Sequence, residues 1–248
     1  MPGLNWLTAR PVAHRGLHDA TAGVIENTPS AFFAAIAGNY AIECDVQLTA
    51  DGEAMVHHDG VLGRLTDGEG RLDAMSTADL KRVAFKHTSD RLITLGELCD
   101  LVAGRCTLII ELKSRHAEDT RLPGRVAAVL RDYAGPVAAM SFDPRQVSAL
   151  QAAAPGLPRG IVAERRYDHA EWRDLTTVQK LGLAQLAHAF STRPNFVAYR
   201  VMDLPAFAPL AARTLFGLPL LTWTVRTQED RACAARWADQ IIFEGFRP

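Results

Sequence analysis

The chain lacks any run of about 18 consecutive apolar residues, the length that a membrane-spanning helix requires. We therefore expect no transmembrane segment. Residues 1–10 lack both a basic start and an extended apolar stretch, so no signal peptide is expected. The four cysteines form no C-x-x-C pair, and Cys44 and Cys106 lie in strand-like runs, where a thiol packs as a small apolar side chain. These features predict a reduced, cytoplasmic protein.

An excess of charge of either sign is also missing. Lys and Arg number 27 and Asp and Glu number 28, for a net charge of -1. Such a balance gives no reason to expect nucleic acid or an anionic membrane as a partner, and any phosphate binding must be local. The sequence also has no internal repeat and no Ser-, Gly- or Pro-rich linker. Its 248 residues therefore predict one domain over 1–248, with the oligomeric state left open.

Short strand-like runs alternate with Ala- and Leu-rich helical stretches along the whole chain. The runs are Pro11–His14, Ala41–Val46, Ala54–His58, Cys106–Glu111, Pro136–Phe142, Arg159–Val162, Phe196–Val201, Leu218–Val225 and Gln240–Phe243. This alternation predicts an α/β fold, a (β/α)8 TIM-type barrel. Because such a barrel uses eight strands, we expect one of the nine runs to lie outside it, either Phe196–Val201 or a terminal run.

Residues 60–91 break the alternation, because they contain a turn-rich, charged stretch and a single helical piece. We interpret them as a small insertion after the third strand. Insertions at the carboxyl ends of barrel strands lie over the active site, which is the position expected here. Just before the first predicted helix, Asn27 has the character of an N-cap.

Acidic residues interrupt two of the apolar runs. Glu43 and Asp45 stand two apart in one run, and Glu111 stands two before Lys113 in another. Because side chains at i and i+2 of a strand share a face, each pair converges. Burying like charges is costly unless a cation offsets them, and an all-oxygen set suits Mg²⁺ or Ca²⁺. Glu43, Asp45 and Glu111 are the predicted metal ligands, with ion pairing to Arg15 and Lys113 as the alternative.

Two histidines stand near these carboxylates and are suited to acid–base chemistry on a phosphate ester. His14 follows the first strand-like run. His57 and His58 are neighbours and face opposite ways, so one of them can join the site, and periodicity alone does not choose between them. We favour His58 because it ends the strand beside Asp59, which could orient it. His57 is expected to be packed away, and His18 to be solvated or structural.

Three further residues have two interpretations each. Arg15 either binds a phosphate or forms an ion pair with Glu26 or Asp45, and the adjacent Gly16 allows close approach of a ligand. Glu26 either acts behind the site or complements the dipole of the first helix. Trp223, near the end of a strand, either lines the mouth or packs in the core.

The chain resembles the glycerophosphodiester phosphodiesterases of the phospholipase-C-like class. The matching motifs span nearly the whole chain in order: His14-Arg15-Gly16, Glu26-Asn27-Thr28, Glu43-Cys44-Asp45, His57-His58-Asp59, Glu111-Leu112-Lys113 and Trp223-Thr224-Val225. The resemblance implies a barrel that hydrolyses glycerophosphodiesters to glycerol 3-phosphate and an alcohol. It also implies a divalent cation on the three carboxylates, His14 and His58 as the acid–base pair, and Arg15 and Lys113 in contact with phosphate or glycerol.

Two positions depart from the family pattern. Arg226 follows Trp-Thr-Val where the family usually has Asn, and Glu244 stands where the family closes with Asp. An extra arginine and a longer acid near the mouth could change which head group fits. Two alternatives stay open: a lysophospholipase-D-like enzyme on the same barrel, and a non-catalytic barrel that binds phosphoesters.

Overall fold

The computed structural model describes residues 3–114, 119–169 and 172–248. Within these ranges the strands are β1 Val12–Ala13, β2 Ala41–Leu48, β3 Ala54–Val56, β4 Leu108–Leu112, β5 Val137–Ser141, β6 Arg159–Ala163, β7 Phe196–Arg200, β8 Leu220–Val225 and β9 Gln240–Phe243. All except β3 are parallel to their neighbours, and β1 pairs with both β2 and β9. The sheet therefore closes into the eight-stranded barrel that the sequence predicts.

The strand outside the barrel is β3, so the expectation that Phe196–Val201 or a terminal run would lie outside was wrong. β7 is an ordinary barrel strand between β6 and β8. β3 pairs antiparallel with β2 alone among the described strands. The reason is chain length: residues 49–53 separate β2 from β3, whereas a parallel neighbour needs a crossover of a dozen residues or more.

The helices that surround the barrel are α1 Pro29–Ala37, α2 Thr77–Leu80, α3 Leu95–Val102, α4 Arg121–Leu130, α5 Pro144–Ala153, α6 Thr177–Ala184, α7 Ala189–Thr192, α8 Phe207–Phe216 and α9 Gln228–Trp237. Thr28 caps α1 through its hydroxyl, so the prediction that Asn27 is the cap was wrong. No helix in the described ranges combines the length and apolar character needed to cross a bilayer.

Residues 60–91 build a small apolar cluster of their own beside the barrel. Leu62, Leu72, Leu80 and Phe85 pack there with Met55 of β3. Since β3 stands outside the barrel, the insertion follows the second barrel strand. Apolar side chains of this segment therefore turn inward and leave its outer surface mainly polar.

The interior of the barrel explains how side chains reach the mouth. Inward-facing residues such as Val12, Ala41, Ile109 and Val162 form a buried cluster inside the sheet. Because the side-chain period of a strand is two, the next inward positions lie nearer the carboxyl ends. These positions are His14, Glu43 and Asp45, Glu111, Phe142, Glu164, Arg200, Trp223 and Glu244. The inward-facing positions of the strands thus supply both the core of the barrel and the side chains at its carboxyl end.

Candidate active site

The carboxyl ends of the strands surround a cavity of about 320 Å³. One side of it is lined by His14, Arg15, Glu43, His58, Glu111 and Lys113. We call these residues the charged side, together with the buried Asp45, which lies 2.9 Å from Lys113. The opposite side, called the aromatic side, consists of Phe142, Glu164, Trp172, Arg200 and Trp223. The charged side comes from the ends of β1, β2 and β4 and from the chain after β3, and the aromatic side from the ends of β5 to β8 and a following loop.

The three carboxylates predicted to bind metal meet on the charged side. Asp45 lies opposite Glu111 in the β2–β4 register, and one oxygen from each of Glu43, Asp45 and Glu111 lies within 4.8 Å of the others. Glu43 and Asp45 are 1% exposed and Glu111 is 7% exposed. The structure therefore concentrates three acidic groups in a nearly dry pocket.

Electrostatics make this cluster costly by itself. Burial, followed by repulsion from Asp45 and Glu111, raises the pKa of Glu43 well above its ordinary value. Burial also acts to raise the pKa of Asp45, but Lys113 and Arg15 outweigh it and hold that pKa well below its usual range. Glu43 Oε1 is buried and has no hydrogen-bond partner among the described residues.

The alternative of ion pairing is also realised, yet it does not satisfy the cluster. Lys113 Nζ lies 2.6 Å from Glu111 Oε1 and 2.9 Å from Asp45 Oδ1, and Arg15 Nε lies 3.2 Å from Asp45 Oδ2. Two cations face three carboxylates, and Arg15 is shared with Glu26. The excess negative charge and the unpartnered oxygen of Glu43 fit a hard divalent cation held by oxygen ligands.

Asn27 holds the carboxylate of Asp45, a role that was not predicted from the sequence. Its Nδ2 donates to Asp45 Oδ2 at 2.8 Å, and its Oδ1 accepts from the backbone N–H of Asp45 at 3.2 Å. Asn27 is free for this role because Thr28 caps the helix. An Asn followed at once by a second good N-cap residue was the available signal.

His14 lies between two carboxylates, Glu43 and Glu244. Its Nε2 lies 4.0 Å from Glu43, and its Nδ1 lies 2.6 Å from Glu244 Oε2. Since an ionised carboxylate can only accept, Nδ1 carries the proton and Nε2 is left free. Burial is the main cause that lowers the pKa of His14 to about 4. The imidazole is therefore neutral near pH 7 and able to accept a proton at Nε2.

The structure separates the two adjacent histidines. The His58 side chain lines the cavity and is 30% exposed, and its Nδ1 lies 2.8 Å from Asp59 Oδ1. His57 is only 2% exposed and lies near Phe85 of the insertion. His58 is thus the histidine of this pair that a ligand in the cavity can reach.

Arg15 lines the cavity although it follows His14 directly. A positive φ of 56° at Arg15 turns the chain after β1, so that both side chains face the mouth. The turn also depends on Gly16, whose φ is +81° and where a Cβ would lie 2.8 Å from the Cβ of Ala31 in α1. Gly16 thus lets the turn pack against the helix.

Glu26 joins Arg15 to the insertion. Its Oε1 lies 2.7 Å from Arg15 Nη1 and 2.7 Å from Arg64 Nη2, and Arg64 Nε also donates to Asp59. Burial would raise the pKa of Glu26, but the two guanidinium groups lower it to about 2. Glu26 therefore links Arg15 to Arg64, and Asp59 links Arg64 to His58.

The two residues that depart from the family pattern contact each other. Arg226 Nε donates to Glu244 Oε1 at 2.6 Å, while Glu244 Oε2 faces His14. Each departure was evident in the sequence separately, and their pairing was not predicted. Inward parity beyond Ile242 was the signal that could have placed Glu244 in the mouth.

The aromatic side has a different character. Phe142 packs edge-on against Trp223, with ring centroids 5.4 Å apart. The ring of Trp172 is tilted against Phe142, with centroids 5.1 Å apart. Glu164 accepts from Trp172 Nε1 at 2.7 Å and from Arg200 Nη1 at 3.2 Å, and burial raises its pKa. Trp223, singled out from the sequence, both lines the mouth and packs. Phe142, Glu164, Trp172 and Arg200 were missed as site residues.

Enzymes of the TIM-barrel class carry their catalytic side chains at the carboxyl ends of the strands, where the acids, bases and cations of this cavity also lie. Fold and site therefore define a TIM-barrel enzyme, and comparisons with known proteins identify its family. The model of the glycerophosphoryl diester phosphodiesterase family matches residues 14–245. A glycerophosphodiester phosphodiesterase of Caldanaerobacter subterraneus subsp. tengcongensis is 27% identical over 88% of this chain and 86% of its own.

Solved structures have the same fold. A phosphodiesterase of Oleispira antarctica in complex with its product sn-glycerol-3-phosphate is 19% identical, with a TM-score of 0.77 over 96% of this chain and 94% of its own. A glycerophosphodiester phosphodiesterase of Thermotoga maritima is 22% identical, with a TM-score of 0.70 over 94% of both chains.

The chain belongs to the glycerophosphoryl diester phosphodiesterase family. The predictions of the family, of the barrel fold and of an enzyme that hydrolyses glycerophosphodiesters are thereby confirmed.

Proposed function

We propose that the protein cleaves glycerophosphodiesters to glycerol 3-phosphate and an alcohol, with His14 as the base, His58 as the acid, and Mg²⁺ or Ca²⁺ held by Glu43, Asp45 and Glu111. The observation that carries this proposal is that two histidines, each hydrogen-bonded to its own carboxylate, line the same cavity as the acidic cluster. Each pair fixes the orientation of an imidazole toward the cavity.

The first proton transfer involves His14. The Glu244 carboxylate holds the proton on Nδ1, so that Nε2 faces the cavity as a neutral acceptor. The glycerol hydroxyl next to the ester is well placed to attack phosphorus before water does, and it gives its proton to this nitrogen. A cyclic phosphate would then form transiently and be opened by water, leaving the phosphate on glycerol.

The second transfer involves His58. Asp59 accepts a hydrogen bond from Nδ1 and orients the ring, so that Nε2 can give a proton to the departing alcohol. Arg15 and Lys113 face the cavity with their cationic groups and would contact the phosphate oxygens. When bound, the divalent cation would offset phosphate charge and polarise the ester.

We favour a water-soluble diester over a lysophospholipid. An enzyme that acts on lipids gains from an exposed apolar rim. Here the insertion buries Leu62, Leu72, Leu80 and Phe85, while Val61 is its large apolar side chain at the surface. We further propose that residues 1–248 act as one domain, with residues 60–91 shaping access to the site through Arg64, and that the enzyme works in the cytoplasm.

Turnover of a substrate panel tests the proposal. Glycerophosphocholine, glycerophosphoethanolamine, glycerophosphoglycerol, lysophosphatidylcholine and a bis-aryl phosphate would be compared after chelation and after return of Mg²⁺ or Ca²⁺, with products followed by phosphorus NMR. We expect glycerol 3-phosphate, no turnover after chelation, and restoration by either cation. Phosphocholine with free glycerol would contradict the regiochemistry, and full activity after exhaustive chelation would contradict the metal. Absence of turnover on every substrate would favour a phosphoester-binding barrel.

A further inference from the structure

A second group of metal-ligating side chains adjoins the charged side. Glu244 Oε2 lies 2.6 Å from His14 Nδ1 and 3.7 Å from His18 Nε2, and one ligand atom from each of the three residues lies within 4.8 Å of the others. His14 and His18 lie in the chain after β1, and Glu244 follows β9, which pairs with β1. The pairing of the first and last barrel strands thus creates the group.

The chemistry of this group differs from that of the carboxylate cluster. Glu43, Asp45 and Glu111 offer oxygen alone, which suits hard cations. Two imidazoles and a carboxylate are a set typical of Zn²⁺, with three protein ligands and a fourth position open to water. His14 and His18 are four residues apart in the segment that follows β1, so both rings can reach one ion.

The imidazole of His18 approaches Glu244 without a hydrogen bond to it. Its Nε2 is buried and makes no hydrogen bond within the described part of the chain. It points toward Glu244, although the separation of 3.7 Å is too long for a hydrogen bond. An unpartnered imidazole nitrogen beside a carboxylate is an available ligand.

The geometry is close to what a zinc ion needs. Metal–ligand bonds of about 2.0–2.1 Å in a tetrahedron place ligand atoms roughly 3.4 Å apart. The His14–Glu244 contact would lengthen slightly and the His18–Glu244 contact would shorten. Arg226, more than half exposed, can leave Glu244 as the ion enters. A separate surface cavity lined by His18, Asp19, Arg226 and Glu244 provides a route that avoids the main cavity.

We propose that His14, His18 and Glu244 bind Zn²⁺, and that the bound ion inhibits the enzyme. Zinc at Nδ1 would displace the proton that Nδ1 donates to Glu244. The neutral ring would then carry its proton on Nε2, so that His14 could no longer accept a proton from the substrate. Binding of the ion stands independently of catalysis, whereas its inhibitory effect rests on the proposed role of His14.

The test separates these two statements. Zn²⁺ would be titrated against wild type, His18→Gln and a control variant, His87→Gln, at saturating Mg²⁺, with turnover and bound zinc measured on the same samples. We expect the His18→Gln variant to keep its Mg²⁺-supported turnover within about twofold, to lose one bound zinc per chain, and to raise the inhibitory midpoint at least tenfold. The His87→Gln variant, changed at an exposed histidine, should behave as wild type.

Cobalt provides a measurement that does not depend on the variants folding. Co²⁺ added to wild type with excess Mg²⁺ should give the intense visible absorption of a four-coordinate site with nitrogen ligands, and Zn²⁺ should remove it. Absence of this spectrum, or equal zinc binding and inhibition of the His18→Gln variant, would overturn the site. Zinc bound through His18 without inhibition would keep the site and instead contradict the role proposed for His14.

Discussion

The buried carboxylates on the two sides of the cavity are compensated to different extents. On the charged side, Glu43, Asp45 and Glu111 share two cations, and a carboxylate oxygen of Glu43 has no partner among the described residues. On the aromatic side, Glu164 is matched by Arg200 and by the indole N–H of Trp172. The charged side therefore needs an additional cation, whereas the aromatic side is balanced. This difference points to chemistry on the first side and recognition on the second.

The largest expected effect comes from the acidic cluster. Glu43→Gln should lower kcat by about 10³-fold, because loss of a bound cation removes several kcal/mol of transition-state stabilisation. Measured without metal, the same variant should melt at an equal or higher temperature than wild type, because it removes a buried carboxyl group whose ionised form is disfavoured by burial and by its acidic neighbours. Metal content and thermal melting in chelator would be measured together. A clear fall in metal-free melting temperature would show that the cluster is balanced after all.

The next effect concerns the histidines of the charged side. His14→Ala and His58→Ala should each lose about 10²–10⁴-fold in kcat with metal still bound, and the double variant should be little worse than the poorer single one. A nitrophenyl ester, which needs little protonation on leaving, should rescue His58→Ala and not His14→Ala. His57→Ala, which changes a histidine outside the cavity, is the control. A comparable loss of kcat in that variant would mean that His57 is the acid.

A smaller effect is expected from the aromatic side. Trp223→Ala should raise KM about tenfold, equivalent to roughly 1.4 kcal/mol of binding, and change kcat only a few-fold. Steady-state kinetics with glycerophosphocholine and glycerophosphoglycerol would measure it. If kcat fell as far as it does in His58→Ala, the division between chemistry and recognition would be wrong.

The smallest effect is a difference in the pH dependence of stability. The folded-state pKa of Glu26 is lowered from 4.5 to about 2, so its stabilisation is complete above about pH 4.5 and is lost as the pH falls toward 2. The pKa of Glu164 is raised above 4.5, so its ionisation lowers stability as the pH rises from 4.5 through the raised pKa. The free energy of unfolding would be measured with urea at a series of pH values. Its slope against pH should differ from that of wild type in opposite directions for Glu26→Gln and Glu164→Gln. Slopes of the same sign would show that the two carboxylates have similar environments.

Much of the charged side could be predicted from local sequence. Glu43 and Asp45 stand two apart in an apolar run, and strand geometry alone places both on one face. A barrel brings the ends of neighbouring strands together, so Glu111 and His14 follow from the fold. The choice of His58 over His57 as the exposed histidine rested on its position at the strand end.

Other features depended on partners far apart in the chain. Asn27 has the character of a helix cap, and only the approach of Asp45 shows its use. Glu244 lies 230 positions from His14, and no local pattern predicts their hydrogen bond. Glu164 and Arg200 each resemble an ordinary charged residue at the end of a strand. Their pairing requires β6 and β7 to be neighbours.

The sequence by itself determined the alternation of strands and helices, the acidic cluster and the family, because these follow from periodicity of two, from turn residues and from short motifs. Tertiary structure decided which strand stands outside the barrel, which carboxylate holds His14 and how the aromatic side is balanced. These depend on closure of the sheet, which joins β1 to β9 and brings opposite ends of the chain within hydrogen-bond distance.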